Sequence, residues 1–206
     1  MPKFKIEVLD NGYLELVDFM GADEAVIRAA RRCYLSEPQG KDADARLIRH
    51  LILKDHGTPF EHAYFTFDVK CPIFVARQWM RHRIGSYDEM SLRYCLAKRD
   101  YYTPADLTGE ALDKYKRSIE AAFDSYETLV GSGVKREQAR GVLPLSVYTL
   151  YYWTVNARSL MNFLKLRLDK AAQAEIREYA KAALRIFKEK MPVAAKAFEE
   201  KLKPKE

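Results

Sequence analysis

One stretch of the chain has the clearest strand pattern: Tyr64-Phe65-Thr66-Phe67-Asp68-Val69-Lys70. Aromatic and β-branched side chains alternate with polar ones here, so a strand would have one apolar and one polar face. The pattern predicts a strand over 64–70, with Phe65, Phe67 and Val69 facing a core. A single strand needs partners, and the flanking sequence offers them.

The residues before this stretch predict a hairpin and two helices. An alternating run at 4–8, an Asn-Gly turn and a second alternating run at 13–17 are typical of a β-hairpin. Apolar residues spaced three and four apart predict helices over 22–34 and 45–56. Gly57 is expected to end the second helix in a left-handed conformation.

The residues after the stretch predict mostly helix. A helix is expected from Pro72 to about residue 81, whereas 82–104 lacks periodicity, which in a compact domain is typical of a functional segment. Further helices are predicted over 112–130, 136–143, 145–168 and 172–190. A break near Asn156 and a short helix after Pro192 stay open. The uncharged segment 141–157 is too short and too polar to span a membrane, so a buried core helix is expected there.

The composition suits one globular domain. A length of 206 residues with 48% hydrophobic residues is enough to bury a core. Early strands and late helices predict a single α+β domain over 1–206. Its small, mostly antiparallel sheet would comprise the hairpin and the 64–70 strand, packed by helices, and its C-terminal half would be helical.

The cysteine pattern indicates a reducing compartment. Cys33, Cys71 and Cys95 are odd in number and form no C-x-x-C pair, so we expect neither a disulfide framework nor a cysteine zinc site. Each is expected to be a buried free thiol. The chain also starts without the apolar run of a secretory signal, and a cytoplasmic location is predicted.

The positive charge is concentrated near the middle of the chain. The whole chain carries a formal charge of +6, and residues 77–99 hold six basic side chains against two acidic ones. Five of those six are arginine, whose planar fork matches phosphate oxygens. A solvated basic loop remains open at this point, as does a nucleic-acid-binding surface, because tyrosines are interleaved with the arginines. A metal-dependent phosphohydrolase is disfavoured because the chain has no His-Asp pair.

The most informative motif is Arg81-His82-Arg83 followed seven residues later by Ser91. With Glu89 and Arg93 it supplies guanidinium groups, an imidazole, a hydroxyl and a carboxylate at the end of a predicted helix. These groups suit a phosphorylated heterocycle: arginine and Ser91 for phosphate oxygens, Glu89 for an N–H or a sugar hydroxyl.

This R-H-R-x7-S motif resembles the signature of flavin-dependent thymidylate synthases. Three further blocks resemble the family in the same order: 56–62, 140–145 and 156–167, and residues 74–79 lead into the signature. One position differs, since Asp88 stands where the family usually has Asn; we expect its side chain to point away from the phosphate.

The resemblance implies a reaction and its partners. FAD would accept a hydride from NADPH and, with 5,10-methylenetetrahydrofolate, convert dUMP to dTMP and tetrahydrofolate, without covalent attack by an enzyme side chain. The expected assembly is a homotetramer with shared active sites, binding neither nucleic acid nor membrane. No metal is expected, because no Glu or Cys completes a recognised ligand set with His56 and His62.

The resemblance also implies the site residues. The catalytic residue would be Arg167, stabilising the activated, deprotonated uracil. The residues implied to bind dUMP are Gln78, Trp79, Met80, Arg81, Glu89, Met90, Ser91, Leu92, Arg93, Arg140 and Arg167. The residues implied to bind FAD are Thr58, Glu61, Arg81, His82, Arg83, Ile84, Glu89, Asn156, Ala157, Arg158 and Asn162.

Overall fold

A computed structural model describes residues 4–203, which form one antiparallel five-stranded sheet with helices packed against it. Along the sheet the strand order is β1-β2-β3-β5-β4. The strands are β1 Phe4–Val8, β2 Gly12–Met20, β3 Tyr64–Pro72, β4 Ser86–Glu89 and β5 Tyr148–Asn156. The predicted single-domain α+β fold with an antiparallel sheet is confirmed.

The strand at the centre of the sheet is β3. It pairs with β2 on one side, where Phe67 lies opposite Leu16, and with β5 on the other, where Phe67 lies opposite Trp153. Phe65, Phe67 and Val69 are fully buried, as their alternation predicts. Because β3 has neighbours on both edges, it holds the two halves of the chain together.

Eight α-helices complete the fold of residues 4–203. They are α1 Ala22–Arg32, α2 Lys41–Leu53, α3 Ile73–Trp79, α4 Gly109–Gly131, α5 Arg136–Ala139, α6 Ala157–Arg167, α7 Ala174–Lys190 and α8 Pro192–Leu202. Two 3₁₀ helices cover Thr58–His62 and Arg140–Val142. Helices α3, α6 and α7 pack on the sheet, and α8 packs on α2 and α7. Among the residues that the structure describes, every helix is too short or too polar to span a bilayer.

The predicted helix over 145–168 is wrong in its first half. Residues 148–156 form β5, and only α6 is helical. The interpretation of 141–157 as a buried core helix fails for the same reason. In β5 the buried residues Tyr151, Trp153 and Val155 alternate with more exposed ones, but Tyr152 is itself a large aromatic residue at 51% exposure. Apolar side chains on both faces hide the alternation that identifies a half-buried strand.

Helix ends and two cysteines also differ from expectation. Helix α2 ends at Leu53, and the left-handed residue after it is Asp55, with φ of 59°, rather than Gly57, with φ of −80°. The expected helix over 136–143 is the short α5 followed by a 3₁₀ turn. Of the three free cysteines only Cys71 is buried, whereas Cys33 and Cys95 are exposed.

Candidate functional site

A cleft of about 830 Å³ opens where the R-H-R signature meets α6 and the first 3₁₀ helix. Its lining residues, which define "the cleft" from here on, are Glu61, Arg81, His82, Arg83, Ile84, Asn156, Arg158, Ser159, Asn162, Leu166 and Arg167. Nine of these eleven are predicted site residues; Ser159 and Leu166 are additions. Four arginines face a single carboxylate, so the cleft favours anions.

Helix α6 begins where it does because Asn156 caps it. The Asn156 Oδ1 accepts a hydrogen bond of 2.8 Å from the backbone N–H of Ser159. This start places Arg158 and Asn162 one turn apart on the same face of the helix, both in the cleft. Leu166 is the next residue on that face of the helix. The four-residue spacing from Arg158 and Asn162 could therefore have predicted it from the sequence.

At the other side of the cleft, Arg167 bonds to the signature and to the segment that leads into it. Its Nε donates to His82 Nε2 at 2.9 Å, and its Nη2 donates to the carbonyl oxygen of Gln78 at 2.8 Å. Burial, with a smaller contribution from the Arg167 charge, lowers the pKa of His82 to about 4, so the imidazole is neutral at pH 7. Burial also lowers the pKa of Arg167, but a guanidinium stays charged at neutral pH.

A second pair lies at the mouth of the cleft. Arg158 Nη1 forms an ion pair with Glu61, and both side chains are largely exposed. Gly57 makes room for this arrangement, because a Cβ there would lie 2.6 Å from Arg158 Nε. The glycine before the first 3₁₀ helix therefore serves the close approach of Arg158 rather than a left-handed turn.

Five further predicted dUMP residues, at positions 89–93, lie at and beyond the C-terminal end of β4. We call residues 89–93 the loop. Glu89 Oε1 accepts a 2.6 Å bond from Thr149 Oγ1, and Arg93 Nε pairs with Glu137 of α5 at 2.9 Å. Arg140 follows α5 directly.

The register of β4 separates the loop from the cleft. Ser86 lies opposite Thr154, near the cleft, whereas Glu89 lies opposite Tyr151. Three strand residues span about 10 Å. Asp88 pairs with the exposed Tyr152 on the face of the sheet opposite to Glu89, so the side chains of positions 88 and 89 point to different sides.

Besides Arg140, five predicted residues lie outside the lining of the cleft and outside the loop. Thr58 is exposed at the start of the 3₁₀ helix, and Gln78 and Met80 are half-buried around the end of α3. Trp79 and Ala157 are fully buried, and Trp79 stacks on Phe163 at 4.8 Å. The side chains of Trp79 and Ala157 therefore belong to the core, and their contribution to a ligand is limited to their backbone.

The donor set of the cleft fits an anionic dinucleotide such as FAD. The guanidinium groups of Arg81, Arg83 and Arg158 suit a diphosphate, and the carboxamide of Asn162 suits the edge of a heterocycle. In the described part of the chain, no three His, Cys, Asp or Glu side chains come together as a metal site requires.

Known proteins are similar to nearly the whole chain. A family model described as thymidylate synthase complementing protein matches residues 15–193. The flavin-dependent thymidylate synthase of Thermotoga neapolitana is 48% identical over 202 residues, covering 94% of this chain and 94% of the relative. That of Thermus thermophilus is 45% identical and covers 96% of this chain and 79% of the relative.

A solved structure agrees with these relatives. The UMP/dUMP methylase PolB from Streptomyces cacaoi, bound with 5-Br dUMP, has a TM-score of 0.87 to this chain at 35% identity. The match covers 95% of this chain and 97% of that one. Together with the family model and the relatives, it shows that this chain belongs to the flavin-dependent thymidylate synthase family.

Proposed function

We propose that this chain converts dUMP to dTMP, taking the carbon from 5,10-methylenetetrahydrofolate and the hydride from FAD reduced by NADPH. Membership of the family sets the reaction. The observation that supports its assignment to particular residues is the cleft, in which signature arginines and Arg167 of α6 lie together. The proposed domain is the whole of 1–206.

FAD is the cofactor of the family, and we assign it to the cleft. Arg81, Arg83 and Arg158 would hold its diphosphate, and Asn162 would bond a heterocycle edge. Thr58 and Ala157 border the cleft along the chain, and Glu89 would contribute from the loop. The cleft is open and is lined by positively charged side chains, and both properties support this assignment.

The loop and Arg140 are assigned to the dUMP phosphate. Arg93 is fixed beside Ser91, whose Oγ accepts from the Arg93 backbone N–H at 3.3 Å. Release of Arg93 from its exposed pair with Glu137 costs little, since such pairs contribute about 0–1 kcal/mol. Arg167 would then stabilise the negative charge that develops on the pyrimidine, an effect of roughly 3 kcal/mol or more.

We propose a homotetramer with shared sites, and the distance between cleft and loop supports it. The register of β4 separates them by about 10 Å within one chain. A second copy that brings its loop to this cleft would complete the site. The sheet face opposite the helices supports such a contact, because Tyr64, Leu150 and Tyr152 are exposed on it.

The reaction is tested with the purified protein. We expect a yellow protein that is bleached by NADPH under anaerobic conditions and forms dTMP from dUMP and methylenetetrahydrofolate. UMP is assayed beside dUMP as an alternative substrate, since the structural relative is a UMP/dUMP methylase. A colourless protein that binds neither added FAD nor dUMP would contradict the proposal.

The assembly is tested separately by light scattering. We expect a mass four times that of the chain, and a monomer that still holds FAD would contradict shared sites. The unpaired state of Cys33, Cys71 and Cys95 supports the proposed cytoplasmic location.

A further inference from the structure

The Arg167 guanidinium is held by two neutral acceptors. His82 Nε2 accepts from its Nε at 2.9 Å, and the Gln78 carbonyl accepts from its Nη2 at 2.8 Å. A guanidinium has five N–H donors, so three remain for a ligand in the cleft. The two bonds thus fix the orientation of the guanidinium, and its remaining N–H donors stay available for a ligand.

Several other arginines of this chain have carboxylate partners, although Arg136 and Arg177 donate to backbone carbonyl oxygens. Arg31 pairs with Asp44 at 2.7 Å, Arg93 with Glu137 at 2.9 Å, and Arg158 with Glu61. Within residues 4–203, Arg167 has no carboxylate at ion-pair distance. A carboxylate in the place of His82 would orient Arg167 equally well, but its charge would cancel the field that an anionic pyrimidine needs.

His82 is itself held firmly. Its backbone N–H donates to Trp79 O at 3.0 Å, and its carbonyl accepts from Tyr87 OH at 2.8 Å. The ring lies edge-on to Phe163 with 5.0 Å between centroids, and only 9% of the residue is exposed. The imidazole therefore has one orientation, and Nε2 points at Arg167.

The protonation state follows from this contact. Because Nε2 accepts a hydrogen bond, the neutral ring carries its proton on Nδ1. Arg167 from α6 is the charged group that touches the ring, and the other charged groups of the cleft are Glu61, Arg81, Arg83 and Arg158. Burial of the ring, and then the Arg167 charge, disfavour a positive charge on His82.

We propose that His82 is a positioning residue for the reaction: its unprotonated Nε2 fixes the Arg167 guanidinium in the cleft without neutralising it. This inference rests on the proposed function, because the action of Arg167 on the pyrimidine belongs to that proposal. It assigns a second role to His82, for which the resemblance to the family implies only contact with FAD.

Three substitutions of His82 distinguish the effect of orienting Arg167 from the effect of placing a negative charge beside it. His82→Gln keeps a neutral acceptor, His82→Glu places a charged one beside Arg167, and His82→Leu removes the acceptor. His50→Gln, on the exposed face of α2, is the matched control. For each, kcat and the KM for dUMP are measured per bound flavin, so that loss of cofactor is corrected for.

We expect His82→Gln to keep kcat within about tenfold, and His82→Glu and His82→Leu to lose about 10²–10³-fold in kcat with a smaller change in KM. If His82→Glu is as active as His82→Gln, neutrality is unimportant and the inference fails. If His82→Leu has the wild-type kcat, orientation by His82 is unimportant and it fails as well.

Arg167→Ala separates this inference from the proposed function. An Arg167→Ala variant with the wild-type kcat would overturn the role of Arg167 itself, whereas inactivity of Arg167→Ala with full activity of His82→Leu would overturn only the positioning role. A readout independent of turnover is nitrogen-15 NMR of the His82 ring in the wild-type holoenzyme. We expect a protonated Nδ1 and an Nε2 resonance that shifts in Arg167→Ala; a protonated Nε2 would refute the assignment.

Discussion

Arg167 of the cleft and Arg93 of the loop have different kinds of partner. In the cleft, Arg167 extends from a regular helix and is oriented by the neutral groups of His82 and Gln78. In the loop, Arg93 lies in an irregular segment and pairs with the Glu137 carboxylate at the surface. Among the described residues, Arg167 thus keeps an oriented charge without a carboxylate partner, whereas under the proposed function Arg93 would exchange one anionic partner for another when phosphate binds. Under the proposed function, we therefore expect substitutions of Arg167 to act mainly on the rate and substitutions of Arg93 mainly on the affinity for dUMP.

The largest effect is expected for Arg167→Ala. Removing the oriented charge should lower kcat by about 10²–10³-fold or more, while the FAD content stays close to that of the wild type. Steady-state kinetics and the visible absorbance of the purified protein measure the two quantities. A parallel loss of turnover and FAD would show that Arg167 is structural.

A pH-dependent effect on stability is expected from His82. Burial, and then the Arg167 charge, lower the pKa of His82 from its ordinary value of 6.5 to about 4 in the fold, so the unfolded chain binds more protons in this range. The free energy of unfolding should therefore fall as the pH drops from about 6.5 to 4, by roughly 3 kcal/mol at most from this group. Urea unfolding at several pH values measures it, with His82→Gln as the control that lacks this contribution. Identical pH profiles for the two proteins would contradict a depressed pKa.

An intermediate effect is expected in the loop. Arg93→Ala should weaken dUMP binding about tenfold or more, because a charge-assisted bond to phosphate contributes roughly 1.5–3 kcal/mol. Its matched control is Glu137→Gln, which frees Arg93 and should leave binding equal or slightly tighter. Isothermal titration with dUMP tests both, and equal losses in the two variants would mean that the Arg93–Glu137 pair, not the phosphate contact, matters.

The smallest effect is expected for Ser91→Ala. Loss of one neutral hydroxyl should weaken dUMP binding by about 0.5–1.5 kcal/mol and leave measurable turnover. The KM for dUMP is the measured quantity, and Thr149→Val, which removes the bond to Glu89 instead, is a useful comparison. Complete inactivity of Ser91→Ala would reopen the question of a nucleophilic role.

Part of the fold was predictable from local pattern. Alternation at 64–70 predicted β3, since one face of the strand is apolar and the other polar. Strand β5 was missed because Leu150 and Tyr152 place apolar side chains on its outer face as well. Strand β4 was missed because four mostly polar residues have no periodicity of their own; they form a strand only by pairing with β5.

The sequence predicted which residues form the site, but not how these residues are arranged in space. The R-H-R-x7-S motif and its accompanying blocks identified nine of the eleven residues of the cleft. Nothing in that motif indicated that the end of α6 would bring Arg167 to His82, eighty-five positions apart. Nor did it indicate that β4 would carry Glu89 away from the cleft.

The amino-acid order alone determined which chemical groups this chain possesses and which segments are amphipathic, because periodicity and side-chain type are local properties. Only the tertiary structure decided which of those groups meet, because the pairing of β3 with β5 and the path of α6 join residues far apart in the chain. A hydrogen bond acts over about 3 Å. The partner of Arg167, and hence whether its charge is kept or cancelled, was therefore decided by the fold.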